Sequence, residues 1–315
     1  MMRRLTAILN PQADRGRTGQ LAESLQRELA GRVELRLVRT SRRDEAVDLA
    51  QSAAEAGCDG VVAIGGDGTV HEVANGLLAL PAERRPPLGV IPAGSGNDFA
   101  FALDIEKDLE QTAQLLSRGQ TRPVDAARIE TASGRTRYSI NNLGALLEGE
   151  INLASHALQW PRGSGLYLRA VLQTLWRRPP LAKLTLCRDG VEFQRRTSIL
   201  SISNGCRSGG RFYLTPNACV DDGRFDYVIA PPASRIRLLR EIFKSLRRDR
   251  PPNDWIEQGE FANLSVRSNL ALAVHVDGEP WLRPSEGEQT LEITVLPGVL
   301  QVLAPAAPHQ RFSGV

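Results

Sequence analysis

The sequence predicts a doubly wound α/β domain over residues 1–124, followed by a mainly β domain, an antiparallel β-sandwich, over residues 125–303. Three observations predict it. The first third of the chain alternates short apolar runs with segments of helical period, the pattern of a parallel sheet covered by helices on both faces. Near Pro123 the texture changes to short β segments set apart by turn dipeptides. The length of 315 residues suits two domains of ordinary size. The end of the chain, "APAAPHQRFSGV", reads as a flexible tail over residues 304–315.

In chain order, Leu5 to Leu9 is an apolar run of strand length. Gly19 to Ala30 carries Leu21, Leu25 and Leu29 on one helical face. Val33, Leu35 and Leu37 alternate with Arg32, Glu34 and Arg36, as in a half-buried strand. Arg42 to Ala56 reads as a helix with Ser41 as its N-cap. Gly60 to Ile64 reads as a strand, Val70 to Leu80 as a helix, Leu88 to Ile91 as a strand and Lys107 to Arg118 as a helix. Beyond Pro123, "ARIETASGRTRYSINN" gives two strands around a Ser-Gly turn. "KLTLCRDGVEFQRRTSILSIS" gives two more around Asp189-Gly190, a strong hairpin signal. "GRFDYVIA", "FANLSVRS", "LALAVHVDG" and "TLEITVLPG" are further β segments. Two helical insertions interrupt them, Ile151 to Arg178 and Ser234 to Arg248. The second, read on to Arg250, carries seven Lys/Arg and places Ile236, Leu239, Phe243 and Leu246 near one face. That face is expected to pack on the core, with the basic face aiding recruitment to an anionic surface.

Composition narrows the class of function. The net charge of +3 is mild, and no recognition helix, zinc spacing or aromatic-rich RNA motif is present, so a nucleic-acid protein is not expected. The four cysteines are scattered without a CxxC pair and read as reduced thiols of a cytosolic protein. The opening "MMRRLTAILNPQ" is too short in its apolar run for a signal peptide, and no segment reaches membrane-spanning length. The expected location is cytoplasmic, with peripheral contact at the inner membrane surface.

The chemistry sits in the loops after the strands, where open α/β sheets bind ligands. Gly65-Gly66-Asp67-Gly68-Thr69 follows one strand and leads into a helix. Glycines there let backbone approach a phosphate, and the helix start offers N–H groups and a positive dipole end. An acid beside phosphate calls for a cation, so Asp67 suggests Mg²⁺. The simpler alternative is a tight turn with Asp67 as a helix N-cap. One strand later, "PLGVIPAGSGNDFAFAL" repeats the pattern with Gly94, Ser95, Gly96, Asn97 and Asp98. A third strand end carries Asp125 in "PVDAARI". Neighbouring strand ends would gather Asp67, Asp98 and Asp125 around one cleft, an arrangement that asks for a metal or partner cations. The first strand ends in "NPQADRGRTG", with Asn10, Arg15, Gly16 and Arg17, and the second ends at Thr40. His71 is expected to face the surface of its helix, and His156, His275 and His309 show no ligand spacing.

"GGDGTVHEVANGL", "PLGVIPAGSGNDFA", "VDDGRFD" and "VHVDGEP", in that order, resemble the diacylglycerol kinase catalytic-domain family. The soluble bacterial lipid kinases are the nearest branch; sphingosine and ceramide kinases are more distant. The resemblance runs from residue 5 to about residue 303. GGDGT is shared with NAD kinases and phosphofructokinases, whereas GSGNDFA and DGEP separate this sequence from both. The resemblance implies an ATP- and Mg²⁺-dependent lipid kinase with its active site in the interdomain cleft. ATP would lie against Asn10, Thr40, Gly66, Asp67, Gly68, Thr69, Val70, His71, Glu72 and Ser95, with Asp98 and Asp125 nearby. Asp222 and the carbonyls of Cys219 and Arg224 would bind Mg²⁺ in a second, structural or regulatory loop, with a plain turn as the competing reading. Glu279 would accept the proton of the lipid hydroxyl, with Asp277 and Asp67 as rivals. The substrate would be diacylglycerol or a relative such as phosphatidylglycerol, and a homodimer is compatible with the sequence. The alternatives are a kinase of a soluble acceptor such as NAD, or a non-catalytic lipid- or nucleotide-binding regulator. Two departures stand out: the first loop lacks the family's NPxSGxG form, and Ser95 stands where threonine is common.

Overall fold

The computed structural model describes residues 2–11, 13, 18–158, 164–177, 180–249 and 254–306. Arg15, Gly16 and Arg17 of the first loop, and the tail from 307 onward, lie outside them. The chain divides into two compact units, one formed by residues up to Ala126 and again from Pro297 onward, the other by Ala127–Leu296.

In the first unit the chain runs through β1 (Arg3–Leu9), α1 (Thr18–Leu29), β2 (Val33–Arg39), α2 (Glu45–Glu55), β3 (Gly60–Gly65), α3 (Asp67–Leu78), β4 (Leu88–Pro92), α4 (Asp98–Ala102) and α5 (Leu109–Arg118), then enters β5 (Thr121–Thr131). The first four strands pair in parallel in the order β2-β1-β3-β4. Every residue of β3 and β4 is buried, as a parallel strand between two helical layers requires. Leu5, Leu9, Leu25, Leu29, Ile64 and Leu116 meet in one core. With β2 on one side of β1 and β3 on the other, the strand order reverses between β1 and β3. Their carboxyl ends, at Leu9 and Gly65, therefore form the switch point where such sheets hold ligands.

Two helix starts differ from expectation. α2 begins at Glu45, not Arg42, and Ser41 does not cap its amides. Instead the Ser41 hydroxyl donates to Glu45 Oε2 at 2.9 Å, so the acid reaches back to the serine. α3 begins at Asp67 rather than Val70. The five residues of α4 are too few to leave a periodic signal, so the sequence did not announce them. α5, by contrast, has both signals: Asp108 accepts from the Gln111 amide at 2.9 Å, and Gly119 closes it at φ 70°.

The second unit continues through β6 (Thr136–Ser139), β7 (Asn142–Leu146), α6 (Leu147–Ala157), α7 (Ser164–Trp176), β8 (Ala182–Arg188), β9 (Val191–Thr197), β10 (Ile199–Ser203), β11 (Phe225–Ala230), α8 (Arg235–Lys244), β12 (Glu257–Phe261), β13 (Asn263–Ser268), β14 (Val274–Val276), β15 (Glu279–Leu282) and β16 (Thr290–Leu303). One antiparallel sheet has the order β12-β11-β10-β7-β14-β15. The other contains β16-β13-β8-β9, with β5 and β6 attached. Leu143, Ile202 and Phe225 from the first sheet share a core with Leu184, Leu264 and Ile293 from the second, which makes the unit an antiparallel β-sandwich. The predicted Asp189-Gly190 hairpin forms, with φ of 48° and 86°.

The first helical insertion is two helices, α6 and α7. They share a small apolar layer with α8 through Leu147, Ile151, Val171, Leu175 and Leu238. α8 turns the opposite way from expectation: Leu238 and Glu241 are its buried residues, while Ile236 is 81% and Phe243 49% exposed. The apolar residues of α8 cover more than one face, so their spacing alone does not choose the inward one. Glu241 can face inward because Lys244 Nζ lies 2.9 Å from its Oε1.

α2 and α3 pack through Gly76. A Cβ at that position would lie 2.5 Å from the Val47 carbonyl oxygen and 3.0 Å from the Ala50 methyl carbon. Neither backbone can withdraw cheaply, because Ala46, Ala50 and Ala53 already form the buried face of α2. Gly76→Ala is expected to destabilise the protein by about 1–3 kcal/mol, the usual range for overpacking. Denaturant unfolding of the variant measures this; unchanged stability would mean that the two helices can separate freely.

Candidate active site

β3 ends at Gly65, Gly66 caps α3 in an extended conformation, and the Thr69 and Val70 amides donate back to the Gly66 carbonyl at 3.0 and 3.1 Å. The turn after β4 lies directly against this one. The Ala93 amide donates to the Gly65 carbonyl at 2.8 Å, and a Cβ on Gly94 would sit 2.4 Å from the Gly66 Cα. Glycine at 66 and 94 is thus first a requirement of backbone meeting backbone. At Gly65 a Cβ would fall 2.3 Å from Thr69 Oγ1, so the Thr69 side chain lies folded over the strand end.

Asp67 joins the two turns. It is the first residue of α3, yet its carboxylate serves the start of α4. Oδ2 accepts the Asn97 amide at 2.7 Å; Oδ1 accepts the Asp98 amide at 2.7 Å and the Phe99 amide at 3.3 Å. Asn97 stands at φ 56°, a left-handed conformation that asparagine tolerates. Its side chain closes the intervening loop, accepting from the Gly94 amide at 2.8 Å and donating to the Gly94 carbonyl at 2.9 Å. Lys107 Nζ reaches that same carbonyl at 2.8 Å. Burial, and next the neighbouring Asp98 charge, push the Asp67 carboxyl up to about 6, against the pull of the three amides.

Other residues predicted for this site take varied places. The Asn10 amide donates to the Ile64 carbonyl and its own carbonyl accepts the Thr18 hydroxyl at 2.9 Å, so Asn10 sits at the switch point. The Thr40 amide donates to the Leu9 carbonyl at 2.9 Å. Ser95 is exposed at the tip of its loop, while Val70 and Asp98 are buried. Glu72 Oε2 accepts the Ala46 amide at 3.2 Å, at the start of α2. His71, expected on the helix surface, is fully buried beside Asn75, because α3 is covered on that side as well. Asp125 is buried and its Oδ1 accepts the Gly298 amide at 2.7 Å, pinning the returning strand. Asp67 and Asp98 are brought together; among the described residues no three His, Cys, Asp or Glu side chains form a set able to hold a metal ion.

In the second unit, Asp277 and Gly278, at φ 50° and 84°, make the tight turn between β14 and β15. The Asp277 carboxylate is buried and committed: it accepts the Ser139 hydroxyl at 2.7 Å and the amides of Ile140, Asn141 and Asn142 at 2.9–3.0 Å. Glu279, two residues on, opens β15 with its side chain 23% exposed. α6 lies along this hairpin with a polar stripe at four-residue spacing. Glu148 Oε1 lies 3.4 Å from His275 Nε2, Asn152 Nδ2 donates to the Gly278 carbonyl at 2.7 Å, and His156 Nε2 lies 4.0 Å from Glu279 Oε2. Glu148 Oε2 and Asn152 Oδ1 are buried acceptors without a hydrogen-bond partner among the described residues. A Cβ on Gly144 would meet His275 Nε2 at 2.4 Å, so glycine makes room for that pair. The sequence carries the stripe as polar residues four apart in "LEGEINLASHA", a spacing that by itself indicates only a helix.

The loop before β11 is acidic. Asp222 Oδ1 accepts the Arg224 amide at 3.0 Å, and the Cys219 thiol donates to Asp221 Oδ1 at 3.1 Å. Burial, then that hydrogen bond, raise the Cys219 thiol to about 11, so it remains protonated. Asp226 is pushed up to about 7 by burial and then by the charges of Glu260, directly across the ladder, and Asp222.

Comparison with known proteins places these features in context. The diacylglycerol kinase catalytic domain matches residues 4–129, and the YegS C-terminal NAD kinase beta sandwich-like domain matches residues 142–304. A protein of Chromohalobacter salexigens named a probable YegS-like lipid kinase is 30% identical over 296 residues, 92% of this chain and 91% of that one. The diacylglycerol kinase of Bacillus subtilis is 29% identical over 88% of this chain and 90% of its own. The crystal structure of a diacylglycerol kinase from Bacillus anthracis shares the fold, with a TM-score of 0.72 and 22% identity over 96% of this chain and 97% of that one.

Because Asp67 supports α4, Asp67→Ala is expected to lower stability by about 1–3 kcal/mol, the range for stranding buried amides. Its folded pKa lies above the ordinary 3.8, so its protonation contributes stability that is complete below about 3.8 and lost as pH rises through about 6. The stability gap between wild type and Asp67→Ala should therefore narrow from pH 4 to pH 6.5. Thermal unfolding of both proteins across that range checks the sign; a widening gap would contradict it.

Proposed function

The chain belongs to the diacylglycerol kinase catalytic-domain family, in its YegS-like lipid-kinase branch, and from that membership we propose that it is an ATP- and Mg²⁺-dependent lipid kinase. It transfers the terminal phosphoryl group of ATP to a hydroxyl of diacylglycerol or a related lipid such as phosphatidylglycerol. One observation carries the reading: two glycine turns at the carboxyl ends of adjacent parallel strands, β3 and β4, are locked together beside the switch point by a single carboxylate. Rigid backbone at a helix start suits a polyphosphate. The nucleotide falls to Asn10, Thr40, the turn from Gly66 to Thr69 and the exposed Ser95 hydroxyl. His71 and Val70 can contribute only backbone, since their side chains are buried.

Phosphoryl transfer asks of the protein mainly position and charge. Bound Mg²⁺ would offset phosphate charge, and the Asp67–Asp98 pair provides the hard oxygen chemistry it prefers. The mutual repulsion that helps lift Asp67 is what a cation would relieve. Around Asp222 the donor set also fits: carboxylates crowd one another there, and one acid with the carbonyls of Cys219 and Arg224 would leave room for the waters that Mg²⁺ retains. Glu279 is the proton acceptor. Its rival Asp277 holds four donors that shape the turn, and Asp67 holds three amides, whereas Glu279 is partly exposed on the same hairpin. The lipid is met at a membrane surface; among the described residues no helix is long and apolar enough to cross a membrane.

Glu279→Gln keeps the shape and removes the charge. Turnover on diacylglycerol micelles should fall ~10²- to 10⁴-fold, the usual effect of losing a general base. ATP affinity by calorimetry should be unchanged. Loss of both would make Glu279 a nucleotide or metal ligand, and loss of neither would remove it from the chemistry. Asp222→Ala should abolish most of the rise in melting temperature that Mg²⁺ gives the wild type; an equal rise in both proteins would make the loop a turn and nothing more.

A further inference from the structure

Among the described residues, large exposed apolar side chains gather on one layer of the second unit. Leu172 and Trp176 on α7 are 48% and 81% exposed, and they stand four residues apart on one face. Ile236 and Phe243 on α8 are 81% and 49% exposed, with Leu246 following just past its end. Both helices rest on the same small core through Val171, Leu175 and Leu238, so these residues are not needed to close it. Other exposed apolar residues, such as Val191 and Leu270, occur singly elsewhere.

The charges on α8 say what suits this face. Ile236, Arg240 and Phe243 share the outer side at helical spacing. Arg240 is 69% exposed and Lys244 46%, and Arg247 follows at 75%. Glu241, turned inward at 8% exposure, pairs with Lys244 and Arg240, and Asp249 pairs with Arg247; against these two acids stand six Lys/Arg from Arg235 to Arg248, so the segment stays basic. Arg237 stacks on Trp255 at 4.5 Å, holding one flank of the helix to the unit. Apolar anchors between outward cations, on a helix whose opposite face is already packed, are complementary to an anionic lipid surface. A protein partner would not need the cations, and a second copy would set like charges against each other.

We propose that the outer faces of α7 and α8 form the membrane-docking surface of this protein, with Ile236, Phe243 and Trp176 entering the headgroup layer and Arg240, Lys244 and Arg247 pairing with anionic lipid. The choice of a lipid surface rests on the lipid-kinase reading; the docking itself requires no catalysis.

The test is sedimentation with vesicles of phosphatidylcholine containing phosphatidylserine, which lacks a free headgroup hydroxyl, without ATP. The full chain should bind these vesicles and not pure phosphatidylcholine, and raised salt should weaken binding. Ile236→Ser/Phe243→Ser should weaken it at least tenfold. Arg240→Gln/Arg247→Gln, which keeps Lys244 on the buried Glu241, should flatten the salt dependence. All these side chains face outward, so circular dichroism and melting temperature should match wild type. Phosphorylation of a lipid dispersed in detergent micelles should survive in both variants. Wild-type vesicle binding by the double serine variant would overturn the proposal. A change from dimer to monomer with vesicle binding intact would also overturn it, making the face an interface between copies. If the wild type binds vesicles but phosphorylates no lipid in micelles, the docking stands and the kinase reading fails.

Discussion

The carboxylate of Asp67 ties the turn after β3 to the turn after β4, and the geometry of the first unit's loops depends on it. α4 is too short to hold its own first amides in place, so an acid from another helix does so. Asn97 and Lys107 complete the lock by holding Gly94 from its amide and its carbonyl. A carboxylate in a glycine-rich turn thus has two uses at once. It fixes the backbone of both turns, and in the proposed function its carboxyl, whose pKa burial and Asp98 lift to about 6, would sit beside a divalent cation. An acid under that strain titrates close to neutrality, a condition often met in catalytic sites.

The second unit repeats the device. Asp277 draws in four donors from the start of β7 and its approach, so the β14–β15 turn is fixed from below. α6 fixes it from the side through Asn152 and the Glu148–His275 pair. Asp277 and Glu279, two carboxylates of one short motif, thus differ in setting: the first holds four donors, and the second has its side chain 23% exposed.

Much of this was legible in the residues. The parallel α/β order, the β-rich remainder and the Asp189-Gly190 hairpin follow from periodicity and turn chemistry, because those signals are local. Asp67, Asp98 and Glu279 were singled out by their place in glycine-bearing motifs. Their partners were not, since the Asp67 bonds span thirty or more residues and the Asp277 bonds more than a hundred. His71 was misplaced because a helix covered on two sides has no surface face for it. The inward face of α8 was missed for a related reason: apolar residues lie on both of its sides, and the tertiary contacts of Leu238, not the spacing, decide between them. The α6 stripe had a sequence signal, but no reason to connect it with a hairpin more than a hundred residues away.

The most direct measurement offers purified protein Mg²⁺ and ATP labelled in its terminal phosphate, together with a total membrane lipid extract and NAD in one reaction. Mass spectrometry then reads which hydroxyl gains phosphate. The account predicts label in a hydroxyl-bearing lipid, none in NAD, and none anywhere when Mg²⁺ is chelated. Label in NAD alone, or ATP turnover with no phosphorylated lipid, would contradict it.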